Sequence, residues 1–292
     1  MRLRTPLVRG ACHSIQATGR ICGRLATSTN FSGRARMAPT TLIAAPFQPR
    51  RLHQANAASD NFLATEFDAL GDERQFKIES ADSFIVRQSA NRLLRERYGW
   101  RGYHAVRLPA DQTTNRTTLT AIEEDSTIGT ITIGLDDSTG MNCDDAFGDE
   151  LDALRRAGQR LCEFTKLAID PITGNRRVLA ALFHVAYIVA HRLRGRDRLV
   201  MEVNPRHVRY YQRMLGAKVI GEERTNRSVN APAVLLSLGF EYIASCIREF
   251  GGRPECAGTE RTLYPLAFTP DEESGILGRL MAAQTPASLA LN

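Results

Sequence analysis

The feature that most constrains this sequence is the stretch Leu161–Leu215, in which strand-like and helical patterns follow one another without a long linker. It opens with LCEFTKLAID, an apolar run of strand length that contains one carboxylate, Glu163, and stops before Pro171. A helical pattern over about residues 177–194 and a second apolar strand, Arg198–Pro205, come next. A strand, a helix and a strand of these lengths predict a parallel crossover unit.

The crossover helix is predicted from apolar residues that recur at helical spacing and form one face. These residues are Leu179, Leu182, Phe183, Ala186, Val189, Ala190 and Leu193. We expect the two strands, Cys162–Ile169 and Leu199–Val203, to run parallel in one mixed sheet. A shorter helix after the second strand carries Tyr211 and Leu215 and ends at Gly216.

Further elements are predicted on both sides of this unit from alternation, helical spacing and turn residues. The strands are Phe76–Ser80, Thr117–Glu123, Thr127–Leu135, Lys218–Glu222 and Ala231–Leu238, the second and third forming a hairpin. The helices are Ser83–Tyr98, Asp149–Ala157, Tyr242–Phe250 and Ile276–Met281. In the first of them Phe84, Ser89 or Ala90, Leu93 and Leu94 are expected to face inward. They add up to one mixed domain over residues 60–250, followed by an extension, 251–292, with no assigned role.

The amino-terminal segment differs in composition from the rest of the chain. Residues 1–59 contain nine arginines and no Asp, Glu or Lys, so the net charge of +6 becomes −3 for the remainder. Without a periodic apolar face, this segment is predicted to be disordered. Its composition is that of an organelle transit peptide, or of a leader before a later start at Met37.

Several functional classes are disfavoured by composition. The basic charge lies in the amino-terminal segment, so it gives no reason to expect a nucleic-acid partner. The longest nearly apolar run, Val178–Ala190, is shorter than the roughly 20 residues that span a bilayer. The six cysteines show neither CxxC pairs nor zinc-finger spacing, so no metal is expected. We expect a cytoplasmic protein, or an organellar one if the amino-terminal segment is a targeting signal.

The order of elements resembles the GNAT acyltransferase fold, an α/β (α+β) mixed sheet with splayed central parallel strands. CEFTKLAIDP resembles a strand of acyl-homoserine-lactone synthases, in which a glutamate precedes a hydroxyl and a basic residue, here Glu163, Thr165 and Lys166. The runs EFTKLAID, VLAALFHVAYIVAHR, EVNPRHVRYYQRMLG and NRSVNAPAVLL are similar to FeeM-type long-chain N-acyl amino acid synthases over about residues 75–250. The resemblance implies an N-acyltransferase.

Two carboxylates are candidates for the chemistry that this activity needs. Acyl transfer to an amine requires a base for the amine proton, and Glu163 stands at the expected splay between the strands. It could equally be a structural partner of Lys166 or of an arginine. Glu202, on the neighbouring strand, points either toward Glu163 or toward the helices.

The resemblance also implies binding residues for the two substrates. For the donor they are Lys166, Ala168, Gly174, Arg176 and Arg177. For the acceptor they are Val203, Asn204, Arg206, Tyr210 and Tyr211, with Asn204 also a helix cap. Because ITGNRR has only one glycine, we expect these cations to hold the single phosphate of an acyl carrier protein rather than a pyrophosphate. The acyl chain could lie beside Phe183 and its neighbours, which could also be ordinary core.

The predicted partners are therefore an acyl carrier protein and an amino acid, with no bound cofactor. Acyl carrier protein, or acyl-coenzyme A, is the donor, and a lipid product suggests peripheral membrane contact. Seven arginines could form a docking surface or a solvated face: Arg192, Arg194, Arg196, Arg198, Arg206, Arg209 and Arg213. The alternatives are an acetyl-coenzyme A-dependent acetyltransferase, a homoserine-lactone synthase that binds S-adenosylmethionine, and a non-catalytic acyl-binding protein.

Overall fold

A computed structural model describes residues 41–46, 75–99, 102, 103, 106–108 and 115–284 of the chain. All of these residues belong to one compact unit, Ala38–Asn292. The strands are β1 (Thr41–Pro46), β2 (Gln75–Ser80), β3 (Arg116–Glu123), β4 (Ser126–Leu135), β5 (Leu161–Ile169), β6 (Arg198–Val203), β7 (Lys218–Asn226) and β8 (Ala231–Gly239). They form one sheet in the order β1-β2-β3-β4-β5-β6-β8-β7.

The helices cover both faces of this sheet. They are α1 (Phe84–Gly99), α2 (Asp144–Arg156), α3 (Arg176–Tyr187), α4 (Val208–Leu215), α5 (Phe240–Phe250), α6 (Ala257–Glu260) and α7 (Pro270–Gln284). Helix α3 continues as a π-helical segment, Ile188–Leu193. No helix in the described part of the chain is long and apolar enough to cross a membrane.

Alternation along β5 decides which side chains meet which helices. Cys162 and Phe164 belong to the large core that contains α3, whereas Leu161 packs with Phe147 and Leu151 of α2. Side chains two apart in a strand share a face, so Glu163 points toward α2, as Leu161 does. The mixed sheet with helices on both faces confirms the predicted fold class.

The two central strands run parallel and separate, as predicted. The pairing of β5 with β6 begins at Leu161–Arg198 and ends at Glu163–Val200, although both strands continue. All the other neighbouring strands pair antiparallel. The cleft therefore opens immediately after Glu163.

Most local predictions are confirmed, with instructive differences. The β3–β4 turn places Glu124 and Asp125 at φ of 45° and 64°, the geometry of a tight hairpin. Phe84 was expected to face inward but is 78% exposed, because the buried face of α1 consists of Ala90, Leu93 and Leu94. Helix α2 starts at Asp144 rather than Asp149, and β7 extends through the predicted loop to Asn226.

The prediction that residues 1–59 are disordered throughout is wrong for β1. Residues Thr41–Pro46 pair antiparallel with β2 at the edge of the sheet. Composition averaged over a basic segment hid this short apolar run, TLIAAP. An edge position also accommodates Pro46, which has no N–H to donate.

Two truncations test the contribution of β1. Deleting residues 1–37 should leave the melting temperature unchanged, because these residues have no periodic apolar face. Deleting residues 1–59 also removes β1 and leaves the β2 edge unpaired, so the melting temperature should fall by several degrees. Calorimetry of both truncations beside the full chain measures the difference. Equal melting temperatures would show that β1 contributes nothing to stability.

The carboxyl-terminal segment is part of the core and not an appendage. It contributes Leu263, Tyr264, Phe268, Ile276 and Leu280 to the cluster that contains α3. Polar contacts reinforce this packing, and they centre on a buried histidine and glutamate. His184 Nε2 lies 3.2 Å from Glu273, which also pairs with Arg192 at 3.0 Å.

Candidate active site

A cavity of about 650 Å³ lies where β5 and β6 separate. Its walls come from the end of α1, the start of α2, the splayed parts of β5 and β6, the first residues after β6, and the β7–β8 hairpin. The lining includes two carboxylates, Asp145 and Glu202, and four cations, Arg97, Arg107, Lys166 and Arg206. Aromatic and aliphatic side chains form the remainder, so the cavity can hold a molecule with both polar and apolar parts.

A bulge in β5 opens this cavity. Thr132 pairs with Thr165 but Thr130 pairs with Ala168, so β5 has one extra residue, and Lys166 adopts φ of 51°. The carbonyl of Lys166 accepts a hydrogen bond from Thr130 Oγ1 at 2.8 Å, and Tyr98 donates to the carbonyl of residue 167 at 2.9 Å. Side-chain hydrogen bonds thus replace backbone pairing where β5 bends away from β6. Lys166 and Ala168 both line the cavity, as predicted for donor-binding residues.

Glu202 is the more buried of the two carboxylates that border the cavity. Burial raises the pKa of Glu202; a hydrogen bond with Asn226 acts in the opposite direction, and the charges of Glu163 and Asp145 raise it further. Its Oε1 is buried and accepts no hydrogen bond from the described residues. Glu202 therefore presents an unsatisfied oxygen and an elevated pKa, both suited to a general base.

Glu163 occupies a different position from the one expected of a base. It is 2% exposed and does not border the cavity. Its Oε1 accepts a hydrogen bond from the side chain of Asn142, and its Oε2 accepts one from the N–H of Cys143 at 3.3 Å. A Cβ on Gly134 would lie 2.9 Å from the Glu163 side chain, so that position requires glycine. A buried carboxylate with both oxygens hydrogen-bonded does not favour the base role predicted for Glu163. Its two hydrogen bonds instead anchor the residues that precede α2.

Asn142 connects Glu163 to the cavity, and it was not predicted from the sequence. It donates to Glu163 and also lines the cavity. Cys143 follows it, but burial raises the pKa of this thiol, as does the charge of Glu163. The thiol is therefore protonated at neutral pH and is not a nucleophile.

Thr165 supplies a second unsatisfied group. Its Oγ1 is buried and accepts no hydrogen bond from the described residues, while the side chain borders the cavity. Buried polar atoms normally have a hydrogen-bond partner, and one without a partner in a cavity wall indicates a group that contacts water or a ligand. Thr165 and Glu202 thus mark the polar end of the cavity.

The turn between β5 and α3 differs from a phosphate cradle. Asp170 Oδ1 accepts hydrogen bonds from the N–H groups of Ile172 and Thr173, both at 2.7 Å. The N–H of Gly174 donates to the Asp170 carbonyl at 2.9 Å, and Asn175 caps the helix by accepting from Val178 at 2.9 Å. These amides, which could have bound an anion, already have acceptors within the chain.

The remaining donor residues predicted from the sequence lie outside the cavity wall. Gly174 closes the turn, where a Cβ would come within 2.6 Å of the Asp170 carbonyl. Arg176 donates to the Thr262 carbonyl at 3.0 Å, which attaches the start of α3 to the carboxyl-terminal segment. Burial lowers the pKa of Arg177, against the charge of Glu272. A phosphate-binding role is therefore hard to reconcile with the contacts of Arg176.

The predicted acceptor residues divide similarly. Val203, Asn204, Arg206 and Tyr211 line the cavity, whereas Tyr210 does not. Asn204 is also the predicted cap, accepting from the N–H of Arg206 at 3.3 Å. Burial raises the pKa of Tyr211, with Tyr210 and Tyr98 adding to the effect, so its hydroxyl stays protonated.

Several lining residues were not identified from the sequence because they come from distant elements. They are Arg97, Tyr98, Tyr103, Arg107, Asn142 and Asn226. The helix prediction placed Tyr98 at the end of α1, but no local pattern shows that this end faces the cleft. Within the described residues, no group of His, Cys, Asp and Glu side chains is arranged to hold a metal ion.

Parallel strands that splay beside a cavity containing a carboxylate define an acyltransferase of the GNAT type. A family model for the N-acyl amino acid synthase FeeM matches residues 89–239. The chain belongs to this family of N-acyl amino acid synthases.

The chain is also similar, to different degrees, to solved structures. FeeM from uncultured soil microbes is 25% identical, with a TM-score of 0.51, over 59% of this chain and 94% of that chain. An acyl-CoA N-acyltransferase from Pseudomonas aeruginosa is 13% identical, with a TM-score of 0.40, over 56% of this chain and 97% of that chain. The CoA-dependent acyl-homoserine lactone synthase BjaI is 10% identical, with a TM-score of 0.42, over 55% of this chain and 79% of that chain. A search of curated proteins found no match.

Proposed function

We propose that this enzyme transfers a long-chain acyl group from an acyl carrier protein to the α-amine of an amino acid. The observation that carries the proposal is the position of Glu202, an unsatisfied carboxylate with a raised pKa in the cavity between the splayed strands. The thioester would lie along the separated parts of β5 and β6, where the backbone lacks a parallel partner.

The chemistry is an amide-forming acyl transfer. The neutral amine attacks the thioester carbonyl, a C–N bond forms, and the C–S bond to pantetheine breaks. Glu202 takes the proton that the amine loses. The same proton then passes to the pantetheine sulfur, so that a free thiol leaves and Glu202 is ionised again. Only the neutral form of the amine attacks, so a carboxylate that takes up the proton assists the reaction near neutral pH.

The carrier protein is favoured as donor by the turn before α3. Four of its amides, those of Ile172, Thr173, Gly174 and Val178, are bonded to Asp170 and Asn175, which leaves a poorer cradle for the pyrophosphate of coenzyme A. The phosphate of a pantetheine arm can be held by side chains instead, and the cavity supplies Arg97, Arg107 and Lys166. This replaces the cluster of Lys166, Arg176 and Arg177 that the sequence suggested.

A docking surface for an acidic carrier is supported for part of the predicted arginine set. Arg192 pairs with Glu273 at 3.0 Å, and Arg196 and Arg198 donate within the chain. Arg209 and Arg213, by contrast, are exposed on α4, the helix whose Tyr211 lines the cavity. We therefore assign docking to this helix.

The donor is tested by offering the same long acyl chain on carrier protein and on coenzyme A, with a mixture of amino acids. We expect amide product from the carrier, at a rate that falls steeply as salt rises because the docking charges are exposed. Reversing Arg209 and Arg213 to Glu should lower the carrier-dependent rate at least tenfold at low salt, roughly the loss of 1.4 kcal/mol.

The matched control is Arg248→Glu on α5, an exposed arginine on a different helix, which should leave this rate unchanged. Mass spectrometry of the products identifies the amino acid acceptor in the same assay. Efficient acetylation from acetyl-coenzyme A, with no product from the carrier-bound donor, would replace this proposal by an acetyltransferase function.

A further inference from the structure

A second cavity, of about 30 Å³, lies behind the first. Phe164 and Phe183 line both cavities, and their ring centroids are 6.2 Å apart. The two rings are therefore the partition between the substrate cavity and this inner one. We call the inner cavity the tail site; α3, β5, β6, β8, α5 and the carboxyl-terminal segment enclose it.

The wall of the tail site offers nothing to a polar ligand. His184 accepts from the Phe268 N–H at 3.0 Å through Nδ1 and lies 3.2 Å from Glu273 through Nε2, so both ring nitrogens are engaged. Tyr264 donates its hydroxyl to the Leu215 carbonyl at 2.7 Å. The Tyr187 side chain forms a hydrogen bond with Arg192. The other lining residues are aliphatic or phenylalanine, with Ala180 and Ala267 the smallest. Such a site takes hydrocarbon in preference to water.

The end wall comes from outside the part of the chain that matches the family. Leu263, Tyr264 and Ala267 lie in the carboxyl-terminal segment, whereas the family match ends at residue 239. Tyr264 and Ala267 are buried, and Arg176 fixes the neighbouring Thr262 carbonyl at 3.0 Å. The depth of the tail site is thus set by a segment added to the shared fold.

We propose that the tail site receives the distal end of the acyl chain, with the Phe164 and Phe183 rings turning aside, and that residues 263–267 set the longest chain accepted. The inference rests on the proposed function, because an acyl group bound in the outer cavity is what would extend past the two rings. It assigns the carboxyl-terminal segment a role in acyl-chain selectivity.

Non-transferable probes separate this inference from the reaction itself. We would measure binding of S-octyl, S-dodecyl and S-hexadecyl pantetheine thioethers to the full chain by calorimetry. Affinity should rise with length, by about fourfold for each methylene that becomes buried. Ala267→Leu fills the end of the tail site and should weaken hexadecyl binding by about 15-fold, the equivalent of two methylenes, while octyl binding is unchanged.

The matched control is Ala181→Leu, which adds the same volume to a buried position that borders neither cavity. It should leave the ratio of hexadecyl to octyl affinity unchanged. Ala267→Val, a smaller change, serves if the leucine variant does not fold, and should lower the ratio less. An unchanged ratio in a folded Ala267 variant, or an equal change in Ala181→Leu, would overturn the inference.

The same probes distinguish the two proposals. Length-dependent binding that Ala267→Leu alters, in a chain that forms no amide with any acyl donor, would refute the proposed function and support the tail site. Amide formation from long-chain acyl carrier protein, with neither the binding affinity nor the rate depending on chain length, would support the proposed function and refute the tail site.

Discussion

Replacing Glu202 by Gln is expected to lower the turnover number for acyl transfer by about 10²–10⁴-fold, the contribution of a positioned general base. Glutamine keeps the size of the side chain and its hydrogen bond with Asn226, but it cannot take the amine proton. In the wild type, the rate should rise as pH rises through the elevated pKa of Glu202, because only the ionised form is a base. That acidic limb should be absent from the variant.

The melting temperature distinguishes the loss of rate in Glu202→Gln from misfolding. A carboxyl group whose pKa is raised in the folded chain favours the folded state when protonated, and this stability is lost as pH rises through the folded pKa. At neutral pH, Glu202→Gln should therefore leave the melting temperature unchanged or raise it. Glu222→Gln, on the exposed part of β7, makes the same charge change away from the cavity and should not affect the rate. A Glu202→Gln enzyme with more than half of the wild-type rate would show that another group is the base.

Replacing Glu163 by Gln is expected to act mainly on stability. One Glu163 oxygen accepts a hydrogen bond from the Asn142 side chain and the other from the Cys143 N–H. The NH₂ group of a glutamine would replace one of these acceptors and would face one of these two donors. A buried hydrogen bond lost in this way costs about 1–3 kcal/mol. The melting temperature should fall by roughly 2–4 °C per kcal/mol for a domain of this size. The rate should fall less than in Glu202→Gln, through displacement of Asn142.

The pair of glutamine variants decides between the two carboxylates. The same chemical change is made in each, so thermal melts and turnover numbers can be compared directly. If Glu163→Gln abolishes transfer at an unchanged melting temperature while Glu202→Gln remains active, Glu163 is the base and the assignment made from the sequence is correct.

The sequence was informative where local chemistry dictates structure. Apolar periodicity and the stop at Pro171 predicted β5, and the spacing of apolar residues predicted α3. The splay was implied by the resemblance to the GNAT fold, and the structure ends the pairing of the two strands at Glu163. Asn204 was predicted as a cap and is one.

What the sequence could not show depends on contacts between distant segments. The sequence left open where Glu202 points. The register of β5 against β6 places it on the same face as Glu163, and the position of α2 decides which of the two the cavity reaches. In the sequence Asp170 is an ordinary turn residue; only the structure shows that its carboxylate accepts hydrogen bonds from the N–H groups of Ile172 and Thr173. The extra residue at Lys166 is likewise invisible without the register of β4.

The position of α7 has a consequence for synthesis of the protein. Ile276 and Leu280 are core residues, and Glu273 meets His184 of the crossover helix from 89 positions further along the chain. The core around α3 therefore cannot be completed until this later segment has left the ribosome. Until then, the apolar surface of α3 and α5 that this segment covers stays accessible to chaperones. Nascent chains stalled before residue 263 should be protease-sensitive along α3, whereas chains long enough to expose Gln284 outside the ribosome should resist.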